Sequence, residues 1–261
     1  MASDEPDCGC GKADDDLILV RHAESEGNVA REAAESAGAE LIDIDLRDPD
    51  VPLTPLGEKQ AAAFGQWLSE LPAESQVASV WCSPYVRTVA TAAVATERAG
   101  LDLPLHVDER LRDRELGMLD RLTKRGIASR YPGEAERRRY LGKFYYRPPG
   151  GESWADVVLR LRSFLADREV RRAHGVSRGP ELVVTHDAVI LLLRYVLEGL
   201  TERQVLDLGA QRSVGNASIT WLHRCEPGAA WRVHTFGAEG HLDSEGDLAT
   251  HHGAERDTHP R

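Results

Sequence analysis

No stretch of this chain approaches the roughly 20 consecutive apolar residues that a membrane-crossing helix needs. Residues 1–16 are acidic and lack the apolar core of a secretory signal, so a cytoplasmic protein without a membrane partner is expected. Cysteine is scarce, with four in 261 residues. Cys8 and Cys10 form a C-x-C in the N-terminal segment, Cys82 and Cys225 fall in or beside strand-like runs, and no pair spacing repeats as zinc sites require. That C-x-C, like His251-His252 and His259 near the other end, reads as a tail feature, and neither a metal nor another cofactor is expected. A glycine-rich phosphate loop ending in Lys-Ser or Lys-Thr is missing, which argues against a P-loop nucleotide site. There is no internal repeat and no excess of positive charge, so nucleic acid is not an expected partner.

What is present is ordinary for a globular protein: 41% hydrophobic and 29% charged residues, in a length that suits one large domain or two small ones. The net charge of −11 is unevenly placed. Residues 1–16 sum to −5 and 237–261 to −4, so both ends read as disordered, acidic tails around a domain at 17–236 that is close to neutral.

Strand-like runs occur at 17–21, 77–82, 103–107, 181–185, 217–223 and 230–235, with helical patterns between most of them. Thr54-Pro55 and Ser83-Pro84 each resemble a cap followed by proline at the first helical position. Ser153 should cap a helix whose apolar residues Trp154, Val157, Val158, Leu161, Phe164 and Leu165 share one face. Residues 187–198 read as a buried helix, and Pro227-Gly228 should join the last two strands as an antiparallel hairpin. The fold class is therefore α/β: a three-layer sandwich with a mainly parallel central sheet covered by helices on both faces. Residues 119–148 break the rhythm with nine Lys or Arg against three acids, together with Tyr131, Tyr140, Phe144, Tyr145 and Tyr146. This segment reads as a helical lid insertion over the mouth of a site.

Two apolar runs end on histidine. Leu17-Ile18-Leu19-Val20 leads to Arg21-His22, with Asn28 beyond, and Leu182-Val183-Val184-Thr185 leads to His186. A third run is followed by Ser83 and Arg87. Ligands in open α/β sheets bind at the carboxyl ends of the strands. A phosphoryl group in transfer needs fixed positive groups around its oxygens. Arginine supplies a planar fork of donors, and a neutral imidazole can attack phosphorus.

The segment Leu19-Val20-Arg21-His22-Ala23-Glu24-Ser25-Glu26-Gly27-Asn28 resembles the signature of the histidine phosphatase superfamily, the phosphoglycerate mutase-like enzymes. Further segments fit in order: Leu53-Thr54-Pro55-Leu56-Gly57 with Gln60, Ser83-Pro84-Tyr85-Val86-Arg87-Thr88, Leu111-Arg112-Asp113-Arg114-Glu115-Leu116-Gly117, Pro149-Gly150-Gly151-Glu152-Ser153 and Val184-Thr185-His186. The resemblance implies that His22 is the nucleophile that becomes phosphohistidine. It implies that Arg21, Arg87 and a cationic His186 hold the phosphoryl oxygens and that Asn28 adds a hydrogen bond. Glu115 would protonate the leaving group and then activate water, a role that calls for a carboxyl raised by partial burial, with Asp113 as the alternative donor and a salt bridge to Arg112 or Arg114 as the competing reading of Glu115. Two positions depart from the family pattern. Ala23 stands where glycine is usual, and Asp187 follows His186 where glycine is frequent; Asp187 is expected to cap the next helix.

The expected function is metal-independent hydrolysis of a phosphomonoester. Phosphoglycerate mutase-type transfer is the alternative, weakened because Leu116-Gly117-Met118-Leu119-Asp120 after Glu115 does not match the mutase pattern, whereas Arg137-Arg138-Arg139-Tyr140 could hold a second phosphate. A third reading is an inactive module binding a phosphorylated ligand or a protein. Cys82 and Arg87 lie too close, with no glycine between, for a cysteine phosphatase, and His22-Ala23-Glu24 lacks the Pro-Cys-x-x-Cys half of a zinc deaminase. The expected partner is a phosphorylated small molecule, and a homodimer is allowed for.

Overall fold

The computed structural model describes residues 15–176, 179–211, 214–243 and 248–250. Six strands form one sheet: β1 (Asp15–Arg21), β2 (Ser79–Cys82), β3 (Leu105–Val107), β4 (Glu181–Thr185), β5 (Ile219–Arg224) and β6 (Arg232–Ala238). Their order is β3-β2-β4-β1-β5-β6. The first four neighbours pair in parallel, whereas β1/β5 and β5/β6 are antiparallel. The helices are α1 (Glu26–Ser36), α2 (Pro55–Ser69), α3 (Val86–Arg98), α4 (Lys124–Arg130), α5 (Pro132–Tyr145), α6 (Trp154–Ala173), α7 (Asp187–Glu198), α8 (Glu202–Gln211) and the single turn α9 (Gly240–Asp243). No helix among the described residues is long and apolar enough to cross a membrane.

The period of two in the central strands divides the core. Ile18, Val20, Leu182 and Val184 pack with Phe64 and Leu68 of α2 and Ala92 and Ala95 of α3. Leu17, Leu19 and Val183 face the other way, into Val157, Leu161 and Phe164 of α6 and Val189–Leu193 of α7. Both faces of β1 and β4 are thus covered, which is why those runs are apolar throughout rather than alternating.

Thr54 caps α2 by accepting from the Gly57 amide, with Pro55 in the first turn. Ser153 caps α6 in a reciprocal box with Asp156. Ser83 does not cap α3, contrary to the sequence reading. That helix starts at Val86 behind Tyr85, because the Ser83 amide is held by the Val184 carbonyl and its hydroxyl by His186.

The tails also need correcting at their inner edges. Asp15 and Asp16 belong to β1, and Asp15 is buried against Arg168 and Arg224, ionic partners that lie far along the chain. Residues 237–243 extend β6 and form α9, and Leu248–Thr250 pack back on the domain. Cys8, Cys10, His251, His252 and His259 lie outside the described residues.

Residues 119–148 carry α4 and α5, and α5 kinks at Gly142 (φ 76°). Beyond the kink Phe144 and Tyr146 turn inward and are buried, while Tyr140 is exposed. The aromatic cluster therefore divides between core and surface rather than forming one stacking platform.

Candidate active site

The β1/β4 register aligns Arg21 with Thr185, so the next residues, His22 and His186, emerge side by side at the carboxyl ends of adjacent strands. The His22 amide donates to the Thr185 carbonyl (2.8 Å), and the two imidazole rings lie 5.3 Å apart. Both rings are buried. His22 Nδ1 is 2.8 Å from the Ala23 carbonyl, an oxygen that can only accept. This contact assigns the proton to Nδ1 and leaves a lone pair on Nε2. Burial, reinforced by Arg87, His186 and Arg21, holds His22 well below the ordinary imidazole range, so it is neutral at physiological pH.

His186 Nε2 pairs with Ser83 Oγ (2.8 Å), and its Nδ1 faces Asp113 Oδ2 at 3.5 Å. His186 is not the expected cation: burial, with Arg87, Arg160 and Arg21 adding to it, lowers its pKa well below the ordinary range.

Arg87 enters from the first turn of α3. Its guanidinium donates to the Asp48 carbonyl (2.6 Å), pairs with Asp48 Oδ1 (3.0 Å) and lies 3.7 Å from Asp113 Oδ2. Arg21 donates to the Val214 carbonyl at 2.6 Å. Asn28 sits in the first turn of α1, where its Oδ1 accepts from the Ser25 amide (3.1 Å), the Ser25 hydroxyl (3.0 Å) and Asn216 Nδ2 (3.1 Å). Its own NH₂ group is the part left to meet a ligand. Arg21, Asn28, Arg87, Asp113, Glu115 and Asp187 line a cavity of about 720 Å³ whose lining also includes Arg138, Lys143 and Tyr146 of the 119–148 segment. His22 and His186 are buried and do not themselves belong to this lining.

The carboxylates differ from expectation. Glu115 is exposed, so the burial anticipated for it is not observed; its Oε1 accepts from the Gly117 amide (2.9 Å). Neighbouring Arg112 and Arg114 are drawn to Glu152, one to its carboxylate and the other to its carbonyl. The segment turns at Gly117 (φ 55°), where a Cβ would sit 2.3 Å from the Pro149 carbonyl, so the turn requires glycine. Asp113 is the carboxylate that reaches both Arg87 and His186. Asp187 does not cap α7: the cap residue is His186, which makes no side-chain cap bond, and Asp187 is the first helical residue. Its carboxyl lines the cavity, where burial raises its pKa against the opposing pull of Arg21 and Lys143.

Ala23 occupies the usual glycine position without strain. The residue is fully buried, its amide donates to Thr91 Oγ1 (3.0 Å), and it is not among the positive-φ residues of the chain. Asp48, Thr91 and Asn216 were not singled out in the sequence, because each acts from a segment without a strand-end motif.

A family model for the histidine phosphatase superfamily (branch 1) matches residues 17–237. The chain belongs to that superfamily. It is 32% identical over 199 residues to a 2,3-bisphosphoglycerate-dependent phosphoglycerate mutase of Methylobacterium radiotolerans, covering 76% of this chain and 86% of that protein. It is 33% identical over 192 residues to a 6-phosphofructo-2-kinase/fructose-2,6-bisphosphatase of Caenorhabditis elegans, covering 74% of this chain but 35% of that longer protein. Among solved structures it resembles a mycobacterial glucosyl-3-phosphoglycerate phosphatase, with TM-score 0.66, 28% identity and coverage of 86% of this chain and 99% of that one. Histidine phosphatases of this superfamily include phosphatases and mutases, so the reaction class is phosphoryl transfer by one of these two routes.

Proposed function

We propose that this histidine phosphatase hydrolyses a phosphorylated small molecule through a phosphohistidine on His22. The observation that carries the reading is a neutral His22 with its Nε2 lone pair uncommitted, set among Arg21, Arg87 and His186. Asp113 occupies the position between Arg87 and His186 that a phosphoryl group would take. An entering phosphate dianion displaces it, pairs with both arginines and the Asn28 NH₂, and favours protonation of His186 by supplying the counter-charge. The displaced Asp113 is the carboxyl that, in its protonated form, faces the leaving oxygen. His22 Nε2 then bonds to phosphorus as the P–O ester bond breaks, and the Asp113 proton goes to the leaving oxygen. In the second half Asp113 takes a proton from water, whose oxygen attacks phosphorus as the P–N bond breaks, releasing inorganic phosphate.

Phosphoglycerate mutase-type transfer is the second reading, favoured by Arg138 and Lys143 in the cavity wall and by the identity to the Methylobacterium mutase. The test is turnover of p-nitrophenyl phosphate in EDTA by wild type and His22→Ala, with the trapped phosphoenzyme tested for acid-labile, base-stable phosphate. Hydrolysis is expected in wild type and should fall by about three orders of magnitude or more in His22→Ala. Undiminished activity in the variant would overturn the reading. Phosphorylation of His22 by 2,3-bisphosphoglycerate without turnover of the aryl ester would favour the mutase.

A further inference from the structure

We propose that Asn216 and Thr250 are positioning residues for the phosphate site, which makes the C-terminal segment 248–250 a working part of it. The inference rests on Asn28 serving as a phosphate donor, as in the proposed function.

The argument comes from the direction of a hydrogen-bond chain. Carboxamides have a donor end and an acceptor end, so a partner that can only donate or only accept fixes which way each one points. The chain starts at the Glu24 amide, which can only donate; it donates to Gln60 Oε1 at 2.7 Å. Gln60 Nε2 therefore faces the other way and donates to the Leu248 carbonyl (2.8 Å) and to Thr250 Oγ1 (2.9 Å). Having accepted, the Thr250 hydroxyl donates to Asn216 Oδ1 at 3.4 Å, while the Asn216 amide donates to the Thr250 carbonyl at 3.3 Å. The NH₂ of Asn216 must then point inward. It donates to the His22 carbonyl (3.0 Å) and to Asn28 Oδ1 (3.1 Å). Asn28, with its oxygen held by Asn216 and Ser25, turns its NH₂ to the ligand.

Gln60 and Asn216 are fully buried, so a reversed amide has no water to satisfy it. The turn that carries Asn216 is held in a costly conformation: Ala217 adopts φ 55°, and its amide donates to the carbonyls of Arg21 (3.1 Å) and His22 (3.4 Å). One turn thus grips the backbone of the proposed nucleophile and the side chain of the proposed phosphate donor, and residues 248–250 brace it from outside.

The experiment is calorimetric binding of inorganic phosphate to the full chain and to Asn216→Ala, Asn216→Asp, Thr250→Val, Asn28→Ala and the double variant Asn28→Ala/Asn216→Ala. Asn216→Ala should weaken phosphate about tenfold, the size of one oriented hydrogen bond. Asn216→Asp should be worse, because a carboxylate oxygen then faces Asn28 Oδ1. Thr250→Val, far from the reacting atoms, should weaken phosphate a few-fold in the same direction, and it decides the matter if Asn216→Ala fails to fold. In the Asn28→Ala background, Asn216→Ala should add less than about twofold, since it acts through Asn28. Wild-type affinity in both Asn216→Ala and Thr250→Val overturns the proposal, and so does full additivity in the double variant. Phosphate binding without ester hydrolysis would overturn the hydrolase reading alone. A folded wild type that does not bind phosphate would overturn the site and this inference together.

Discussion

At the residue scale, the two carboxyls of the 111–117 segment show how far a short stretch can be misread along its length. Asp113 and Glu115 are two positions apart in a segment with no regular repeat, so no periodicity says which one turns inward. The structure separates them: Glu115 is exposed, with its carboxylate turned back to the Gly117 amide, while Asp113 lies 3.7 Å from Arg87 and 3.5 Å from His186. The consequence is measurable with esters of different leaving groups. Asp113→Asn should lose on the order of 10²–10⁴ in turnover of alkyl phosphates, and much less with p-nitrophenyl phosphate, whose phenolate leaves without a proton. Glu115→Gln should change both substrates little and in proportion. Equal losses on alkyl and aryl esters in Asp113→Asn would remove it from the acid role.

At the scale of elements, the site depends on helices that start in the right place. α6 is capped by Ser153, and its box with Asp156 satisfies the amides of both residues. Arg147 adds an ion pair to the same Asp156, which lowers its pKa to about 2 despite partial burial. Ser153→Ala should destabilise the protein by about 1 kcal/mol, read as a lower denaturant midpoint at an unchanged slope. An unchanged midpoint would show that the cap is redundant. The first turn of α6 also carries Trp154, which lines the cavity and supports Lys143 4.6 Å over its ring, so fraying there would also loosen that part of the lining. The basic excess at 119–148 serves that lining in part: Arg138 and Lys143 reach it, whereas Arg130 pairs with Glu40 away from the strand ends.

At the scale of the whole molecule, burial of neutral histidines ties stability to pH. His22 and His186 are held well below the ordinary range, and burial beside Phe64 and Trp67 pushes His241 down to about 4. In the unfolded chain each imidazole takes a proton near its ordinary pKa of about 6.5. Below that pH the unfolded state binds more protons than the folded one, so stability falls as pH drops, by at most ~1.4 kcal/mol per pH unit for each such group. For His241 the effect spans the window from about 6.5 down to about 4. Urea midpoints should therefore decrease from pH 7 to pH 5, and His241→Leu should flatten that slope. Equal midpoints at the two pH values in wild type would contradict the burial of these rings as neutral groups.

Much of this molecule was legible along the chain because the relevant physics is local. Short continuous apolar runs ending on a histidine marked β1 and β4, the spacing of Trp154 to Leu165 marked α6, and the ends of those runs placed Arg21, His22, Arg87 and His186 in order. Those properties depend on neighbours one to four residues away, and a sequence carries them directly. What only the tertiary structure decided are relations between distant segments: Asp113 rather than Glu115 at Arg87 and His186, Ser83 bonded to His186 instead of capping α3, Asp187 turned into the cavity, and Thr250 bracing Asn216. Each of these is a choice among polar partners far apart in sequence, settled by which donors and acceptors packing brings together and leaves without water.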